Sequence, residues 1–379
     1  MKNVTVVFAG GGTGGHIYPG LAVADALTAL AKEQGKALRL VWLGNSSGMD
    51  RNIVEKSGSV DCFYGIPSGK LRRYFSLKNV TDVCKIFAGC VVSFFRLLQL
   101  RPAILFSKGG FVSVPPCFAA RLLHIPVFTH ECDFTPGLAT RLNSRFASKI
   151  LVSYEETKAF FPEGKQTQLI VTGNPVRPVF YTAQSERGKQ FLFKERSCDA
   201  AKPLLLVLGG SLGAHQINKL VTQNLNWLCE RFTVVHQTGK ADEALTHVSH
   251  ADYYPYAFIY SEMCDVIAAA DIVLSRAGAN SIWECAVLSK PMLLIPLCGS
   301  GTRGDQVDNA TFFAKQGAAR VLVGDDADAQ HLQEELTALR DEAQRRAMAA
   351  SCASLCGGAQ PAKTIAQLIL ENIEEKKSV

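Results

Sequence analysis

The feature that most constrains the fold is a repeated alternation of short apolar runs with segments of helical length. Each run is largely continuous in its apolar character, as parallel strands covered on both faces require. The eight runs occupy residues 4–9, 38–43, 104–107, 127–130, 204–208, 233–236, 272–275 and 292–295. The pattern predicts an α/β protein with two doubly wound, Rossmann-like domains that face a cleft.

The boundary between these halves is predicted from polarity and turn residues. The polar segment 187–203 follows a turn-rich stretch at 173–178 and is the best linker candidate. We therefore expect an N-terminal domain over residues 1–180 and a C-terminal domain over 181–360. A final helix over 361–379 is expected to pack back on the N-terminal domain.

Charge and cysteine content exclude several classes of protein. The 40 Lys and Arg residues against 34 Asp and Glu residues leave a net charge of +6, too modest to indicate a nucleic-acid binder. The 12 cysteines form no CxxC pair, so the sequence predicts neither a zinc site nor a disulfide framework. The first apolar run begins at Val4 without a preceding signal-like segment, and we expect a reducing, cytoplasmic location.

Two glycine-rich turns each follow the first strand of one half. They cover residues 10–15 and 209–213, and each precedes a helix, an arrangement that presents backbone N–H groups to an anion. A dinucleotide site would also need an acidic residue after the second strand, where this chain has Gly44-Asn45-Ser46. The turns therefore favour a phosphate-bearing ligand that is not a dinucleotide, with plain tight turning as the alternative.

Two side chains beside predicted helix starts are candidates for chemistry. His16 precedes a helix predicted to begin at Pro19, and it is the candidate base for an attacking hydroxyl or else a loop-bracing residue. Glu284 is placed to accept hydrogen bonds from ribose hydroxyls. Because Ser281 lies three residues before it, a capping box explains Glu284 equally well.

Five motifs together resemble the ordered motif set of the MurG family, the N-acetylglucosaminyltransferases of bacterial peptidoglycan synthesis in glycosyltransferase family 28. They occupy residues 10–19, 108–113, 173–177, 209–214 and 276–284. The resemblance runs from residue 10 to about residue 310 in matching order and spacing. It implies the two-domain GT-B fold.

The resemblance also implies an activity. GlcNAc would move with inversion from UDP-GlcNAc to the C4 hydroxyl of MurNAc in undecaprenyl-linked lipid I, which yields lipid II. This hexosyl transfer belongs to cell wall biogenesis, and through it to cell shape and cell division. The family works as a peripheral protein on the cytoplasmic face of the inner membrane. No acidic cluster with metal-ligand spacing appears in this sequence, so we expect no obligatory metal or other cofactor.

Site residues follow from the resemblance position by position, with His16 as the candidate base. The donor-binding positions are Thr13, Gly14, Gly15, Asp133, Arg177, Ser211, Ile259, Ala279, Asn280, Ser281, Ile282, Trp283, Glu284 and Gln306. The acceptor-binding positions are Lys108, Gly109 and Gly110. Asp133 departs from the family, which has an asparagine there, and a carboxylate cannot donate a hydrogen bond and repels a diphosphate.

A basic and apolar segment is the candidate membrane contact. Residues 70–101 contain seven basic residues and one acidic residue, so this segment accounts for the whole net charge of +6. Its uncharged stretch, residues 86–95, is too short to span a bilayer. A helical stripe of Val80, Val83, Phe87, Val91, Phe94 and Leu98 is expected to be core. The expected contacts with an anionic membrane surface are Leu71, Arg72, Arg73, Tyr74, Phe75 and Lys78.

Other functions compatible with the sequence remain as alternatives. One is a different GT-B enzyme that uses a UDP-sugar, either with another lipid acceptor or as a UDP-GlcNAc 2-epimerase. A dinucleotide-dependent oxidoreductase is disfavoured by the missing acid after Leu43. A noncatalytic membrane scaffold leaves the glycine turns and His16 unexplained. The sequence does not determine the oligomeric state.

Overall fold

A computed structural model of the protein describes residues 4–69, 78–194, 198–199, 201–210, 213–299 and 301–375, with the backbone alone at 78–80, 240 and 241. The chain separates into two compact units. The first contains Met1–Arg177 together with Gln360–Val379, and the second contains Pro178–Ala359. Each unit is built around its own parallel sheet.

In the first unit, the seven-stranded sheet has the order β3-β2-β1-β4-β5-β6-β7. Its strands are β1 Val4–Gly10, β2 Leu38–Asn45, β3 Cys62–Ile66, β4 Ile104–Gly109, β5 Val127–Glu131, β6 Lys149–Val152 and β7 Leu169–Val171. Its helices are α1 Gly14–Glu33, α2 Asp50–Ser57, α3 Lys78–Leu100, α4 Val114–Leu122, α5 Leu138–Asn143 and, from the end of the chain, α14 Pro361–Glu375.

In the second unit, a six-stranded sheet has the order β10-β9-β8-β11-β12-β13. Its strands are β8 Leu204–Leu208, β9 Thr233–Gln237, β10 Tyr253–Tyr256, β11 Ile272–Ser275, β12 Met292–Leu294 and β13 Ala319–Val321. Its helices are α6 Ser185–Leu192, α7 His215–Gln223, α8 Leu225–Arg231, α9 Met263–Ala269, α10 Ala279–Val287, α11 Asp305–Lys315, α12 Ala329–Leu339 and α13 Glu342–Cys356.

In both sheets the strand order reverses its direction at the strand that leads into a glycine turn. β1 lies between β2 and β4, and β8 lies between β9 and β11. Open α/β sheets bind ligands at the carboxyl ends of the strands at such a point. The two turns therefore occupy equivalent ligand-binding positions in their units, and the predicted α/β class with two Rossmann-like domains is confirmed.

Two details of the predicted organisation are wrong. The expected linker at 187–203 overlaps helix α6, which packs against α9, while the units divide at Arg177. Helix α1 begins at Gly14 and contains Pro19, so His16 lies in the first turn of the helix rather than in the preceding loop.

The final helix α14 packs against α1 in the first unit. Its apolar face, which includes the buried residues Ile365, Ile369 and Ile373, joins the core cluster that contains Phe8 and Trp42. Gly173, just before the end of the unit, has φ +78 and lies against Pro361 at the start of α14, where a Cβ would be 2.9 Å from the proline Cγ. The end of the chain therefore completes the first unit's core.

Candidate active site

The first glycine turn is held in shape by two side chains from β2 and α2. The indole Nε1 of Trp42 donates to the Gly10 carbonyl oxygen at 3.0 Å. The Asp50 carboxylate accepts the Gly12 N–H at 2.9 and 3.1 Å through its two oxygens. Gly12 has φ +83, and a Cβ there would lie 2.6 Å from the Phe111 ring. The Gly12 N–H is thus used within the protein.

His16 lies between the first and second glycine turns of this unit. Its Nδ1 is 3.5 Å from the Thr13 hydroxyl. Its ring packs on Gly110, where a Cβ would come within 2.3 Å of the imidazole Cδ2. Gly110 has φ +77, so both its conformation and its contact with His16 favour glycine. The structure thus brings the candidate base next to one of the predicted acceptor-binding residues.

The second glycine turn follows β4 and carries Lys108, Gly109 and Gly110. Lys108 is almost completely buried, and among the described residues its Nζ has the Cys132 thiol beside it and no oxygen or nitrogen partner. The turn is fixed by Ser113, whose hydroxyl donates to the Gly110 carbonyl oxygen at 2.8 Å, and by Asn143, whose Nδ2 donates to the Ser113 hydroxyl at 2.7 Å. A buried ammonium without an oxygen or nitrogen partner is suited to an anionic ligand.

The segment after β5 is organised by Glu131. Its carboxylate is buried and accepts the N–H groups of Cys132, Asp133 and Gly137 at 2.9–3.0 Å. Burial, and then the neighbouring charge of Asp133, raise the pKa of Glu131. In the described part of the chain, Glu131, Cys132 and Asp133 form the one group of side chains close enough to share a metal ion. Burial raises the pKa of the Cys132 thiol to about 12.

Arg177 is the last residue of the first unit, and its side chain points toward helix α1. Its guanidinium lies 5.1 Å from the centre of the Tyr18 ring, within range of a cation–π contact. Thr13 is exposed, and Gly14 and Gly15 are partly buried at the start of α1. The first unit thus gathers the predicted residues Thr13–Gly15, His16 and Arg177 around the start of one helix.

In the second unit, the turn after β8 leads into α7. Gly213 has φ +86, and a Cβ there would lie 2.4 Å from the Thr238 carbonyl oxygen, so only glycine fits. Ser211, a predicted donor-binding residue, lies outside the described residues. The nine-residue helix α7 begins at His215. The N-terminus of this helix follows the turn directly, as an anion site requires.

Ile259 is buried, and its N–H already has a partner. The amide donates to the Gln237 side-chain Oε1 at 2.9 Å. The Nε2 atom of the same glutamine lies 3.5 Å from the Gly210 carbonyl oxygen. Gln237, at the carboxyl end of β9, therefore connects the Ile259 segment with the glycine turn. Sequence reasoning missed this residue, although it directly follows the predicted strand 233–236 at the ligand-binding edge.

Helix α10 carries the predicted nucleotide segment, residues Ala279, Asn280, Ser281, Ile282, Trp283 and Glu284. The helix begins at Ala279, with Gly278 as its N-cap. Ser281 is therefore inside the helix, and the capping-box alternative for Glu284 is wrong. Trp283 is buried and packs against the Phe313 ring, while Glu284 remains partly exposed. Its buried neighbours Ile282 and Trp283 fix the helix in the core.

Gln306 lies in the first turn of α11 and faces the loop after β12. Its Oε1 accepts the Leu297 N–H at 3.0 Å. Next to it, Asp305 pairs with Arg303 at 3.2 Å. The Gln306 side chain thus anchors the loop that precedes it.

Helix α3 presents an apolar face to solvent. Val83, Phe87, Val91, Phe95 and Leu98 are exposed, with exposed fractions of 72% at Phe87 and 63% at Phe95. The prediction that the stripe containing Val83, Phe87, Val91 and Leu98 is core is therefore wrong. By length and composition, Thr81–Leu100 is the one helix in the described ranges that could cross a membrane, with a mean hydropathy of 1.7.

The packed face of α3 contains the small or polar residues Asp82, Gly89 and Ser93 together with Leu97, which joins the hydrophobic core. A Cβ at Gly89 would lie 2.3 Å from the Pro67 carbonyl oxygen, so this close approach requires glycine. The predicted membrane residues Leu71, Arg72, Arg73, Tyr74 and Phe75 lie outside the described residues, and only the backbone of Lys78 is described.

Comparison with known proteins places these features in a family. The family models for the N-terminal and C-terminal domains of glycosyltransferase family 28 match residues 6–152 and 204–369. A UDP-N-acetylglucosamine--N-acetylmuramyl-(pentapeptide) pyrophosphoryl-undecaprenol N-acetylglucosamine transferase from Treponema denticola is 52% identical over 338 residues, which cover 85% of this chain and 84% of the relative.

Solved structures show the same fold. The crystal structure of Acinetobacter baumannii MurG matches with a TM-score of 0.71 at 24% identity, covering 98% of this chain and 100% of that one. A putative UDP-N-acetylglucosamine 2-epimerase from Listeria monocytogenes matches with a TM-score of 0.66 at 12% identity, covering 100% and 97%. The fold is thus the GT-B fold of glycosyltransferases, and the chain belongs to glycosyltransferase family 28 and, within it, to the MurG family of N-acetylglucosamine transferases.

Proposed function

We propose that this chain transfers GlcNAc from UDP-GlcNAc to the C4 hydroxyl of MurNAc in undecaprenyl-linked lipid I, forming lipid II. The observation that carries the proposal is the 52% identity with the Treponema denticola transferase over 85% of the chain. The glycine turns, His16 and Glu284 supply groups that suit this reaction. A 2-epimerase shares the fold but has no use for the exposed apolar face of α3.

The transfer needs a base, an anomeric carbon open to attack and a stabilised leaving group. The acceptor hydroxyl attacks C1 of GlcNAc as its proton passes to the His16 imidazole, and the bond from C1 to the diphosphate breaks. UDP leaves with the bonding electrons, and the configuration at C1 inverts. Negative charge on the diphosphate is stabilised by the N-terminus of α7 and by Arg177.

The donor's uridine is assigned to the second unit and the acceptor to the first. Glu284 accepts hydrogen bonds from the ribose hydroxyls, Gln306 contacts the sugar and the backbone of Ile259 reads the uracil. Since the Ile259 N–H is held by Gln237, a base that uses this amide has to displace the Gln237 side chain. Lys108, whose buried ammonium has only the weakly accepting Cys132 thiol beside it, neutralises the acceptor's pyrophosphate beside Gly109 and Gly110.

We also propose that no metal ion takes part. The two Glu131 oxygens already accept the backbone N–H groups of Cys132, Asp133 and Gly137, which leaves this carboxylate a poor metal ligand. Asp133 is then a neighbour of the site that tunes Glu131, rather than a hydrogen-bond donor to the diphosphate as an asparagine would be.

The proposal for the protein's location is supported by the exposed apolar face of α3. We propose that the exposed face of α3, together with the basic residues at 70–78, binds an anionic bilayer on the cytoplasmic side of the inner membrane. Exposed apolar side chains of this extent are costly in water, and lysine or arginine near anionic lipid contributes up to about 1 kcal/mol each. The site would then meet a lipid-linked acceptor and serve cell wall growth, cell shape and division.

The experiment that tests the function is transfer of labelled GlcNAc from UDP-GlcNAc to a lipid I analogue. Wild type should form product with or without EDTA. His16→Ala should lower kcat by about 10² to 10⁴-fold because the base is lost. Glu284→Ala should raise KM for UDP-GlcNAc by about 10-fold or more because a charged hydrogen bond is lost.

Three results would count against these assignments. Absence of product from folded wild type would refute the function. Unchanged turnover in both variants would refute the residue roles while the enzyme class stands. Loss of activity in EDTA, restored by a divalent ion, would refute metal independence.

A further inference from the structure

Asp50 is a buried acid that no part of the proposed reaction uses. It begins helix α2 and its side chain is completely buried. It lies five residues beyond the end of β2, close in sequence to the position where dinucleotide-binding folds carry the acid that binds ribose. A ribose role is excluded here because both carboxylate oxygens are occupied by the protein's own amides.

The contacts of Asp50 converge on the first glycine turn. Oδ1 accepts the Gly12 N–H at 2.9 Å, while Oδ2 accepts the same N–H at 3.1 Å and the Asn45 N–H at 2.9 Å. A Cβ at Gly11 would lie 1.7 Å from Oδ2. The carboxylate therefore fills the space beside Gly11, and it connects the end of β2 with the turn.

The turn fixed in this way leads into the first turn of α1, where His16 lies. The His16 N–H donates to the Thr13 carbonyl oxygen at 3.1 Å. This hydrogen bond ties the first turn of α1, which carries the imidazole, to the residue that follows Gly12. The Gly11 carbonyl oxygen and the His16 ring both pack against Gly110. A displacement of the turn would thus move the candidate base relative to the second glycine turn.

We propose that Asp50 is a positioning residue that holds His16 in register with the acceptor-binding turn by fixing the Gly12 amide. This inference rests on the proposed function. It adds a residue that acts on the base through the backbone and touches neither substrate. A carboxylate is needed because both of its oxygens accept hydrogen bonds from the Gly12 and Asn45 N–H groups. An asparagine would place an NH₂ group, which is itself a donor, against one of these N–H groups.

The test compares Asp50→Asn with Asp61→Asn. Asp61 is a matched control because its carboxylate accepts the Leu40 N–H at 2.7 Å at the opposite end of β2. Asp50→Asn should lower kcat by about 10²-fold, since a misplacement on the order of 1 Å in a reacting group has this effect. The affinity for UDP, measured by calorimetry, should stay within about threefold of wild type. Asp61→Asn should leave kcat within about twofold.

A second measurement does not depend on activity. The rate of diethyl pyrocarbonate modification at His16, read by peptide mass spectrometry, should rise by about fivefold in Asp50→Asn and stay unchanged in Asp61→Asn. If wild type fails to transfer GlcNAc, the proposed function fails, and this rate still decides the role of Asp50.

Gly11→Ala approaches the same contact from the other side, because its methyl group would displace the Asp50 carboxylate. It should reproduce both effects, and it replaces Asp50→Asn should that variant fail to fold. The inference is overturned if folded Asp50→Asn or Gly11→Ala keeps kcat within threefold or His16 reactivity within 1.5-fold. It is also overturned if UDP binding is lost together with turnover, which would indicate a general structural role.

Discussion

His236, on β9 beside Gln237, is a completely buried histidine whose two ring nitrogens are both used. Nε2 lies 3.0 Å from Asn218 Oδ1 and Nδ1 lies 2.9 Å from the Tyr253 hydroxyl. Asn218 in turn donates to the Thr238 carbonyl oxygen and to Asp242. Since Asn218 uses its amide group as the donor there, His236 donates through Nε2 and accepts at Nδ1. The ring is therefore neutral in the folded chain.

This neutrality predicts a loss of stability in mild acid. Burial lowers the pKa of His236 from 6.5 to about 4. Between these two pH values the imidazole is therefore protonated in the unfolded chain but neutral in the folded chain. The contribution is fully present above pH 6.5 and is lost as the pH falls toward 4, at about 1.4 kcal/mol per pH unit. Urea unfolding of the second unit between pH 7 and 5 should show this slope.

The matched variant for this prediction is His236→Gln, which keeps a polar side chain without a titration in this range. The variant should be less stable than wild type overall. As the pH falls, its free energy of unfolding should decrease less steeply than that of wild type, and the two slopes should differ by about 1.4 kcal/mol per pH unit. Equal slopes in wild type and variant would show that other groups cause the acid sensitivity.

The residues of the site differ in how far the sequence could reveal them. Glycine turns and a histidine at a helix start are local patterns, and they were predicted. Asp50 and Gln237 act through contacts with segments 38 and 22 residues away, on loops brought together by the sheet. Such contacts leave no local pattern, because they depend on which strands become neighbours.

At the scale of elements, the predicted strands are the central ones of each sheet. The sequence missed β3, β7, β10 and β13, which are the sheet edges, and β6 beside one of them. Central strands are covered on both faces and read as apolar runs, whereas β7 and β13 are only three residues long. An edge strand has fewer neighbours to satisfy, so its sequence is less constrained.

Helix α3 shows why periodicity alone did not give the orientation of a helix. The spacing predicts an apolar stripe, and the usual rule assigns that stripe to the core. Four of its members, Val83, Phe87, Val91 and Leu98, are exposed, whereas Phe94 is partly buried against the core. The other face, with Gly89 and Ser93, packs instead because glycine allows the backbone to approach Pro67 closely. Most of the apolar stripe is therefore exposed to solvent among the described residues.

The membrane proposal can be tested on this helix with matched single variants. Phe87→Ser should weaken co-sedimentation with vesicles rich in phosphatidylglycerol by about tenfold, since burying a phenylalanine contributes roughly 1.5–3 kcal/mol. Phe160→Ser, at another exposed phenylalanine of the same unit, should have little effect.

Charge is tested separately from apolar contact. Reversal of Arg72 and Arg73 to Glu should lower binding to anionic vesicles more than to neutral ones. A bilayer contact at α3 would be ruled out if vesicle binding stayed the same when the lipid charge is changed, when Arg72 and Arg73 are reversed to Glu, and in Phe87→Ser.

Helix α14 gives a prediction for stability. Ile369 is completely buried in the core shared with α1, so Ile369→Ala should lower the free energy of unfolding of the first unit by about 2–5 kcal/mol. Gln367→Ala, on the exposed face of the same helix, should change it by less than about 0.5 kcal/mol. Urea unfolding measures both, and an equal effect of the two substitutions would contradict the packing of α14 on α1.

At the scale of the whole molecule, two units repeat one plan with different loops. In each, the strand that feeds a glycine turn lies at the centre of a parallel sheet. In the proposed function the first unit adds His16 and Lys108 for the acceptor, and the second adds Glu284 and Gln306 for the donor. The shared sheets explain why transferases and 2-epimerases match the fold alike, so the fold alone does not determine the reaction.

The product of the reaction therefore tests the central claim most directly. Wild type incubated with UDP-GlcNAc and a lipid I analogue should yield a GlcNAc linked β to O4 of MurNAc, identified by NMR, with one UDP released per disaccharide. Formation of UDP-ManNAc, release of free GlcNAc without disaccharide, or an α linkage would contradict it.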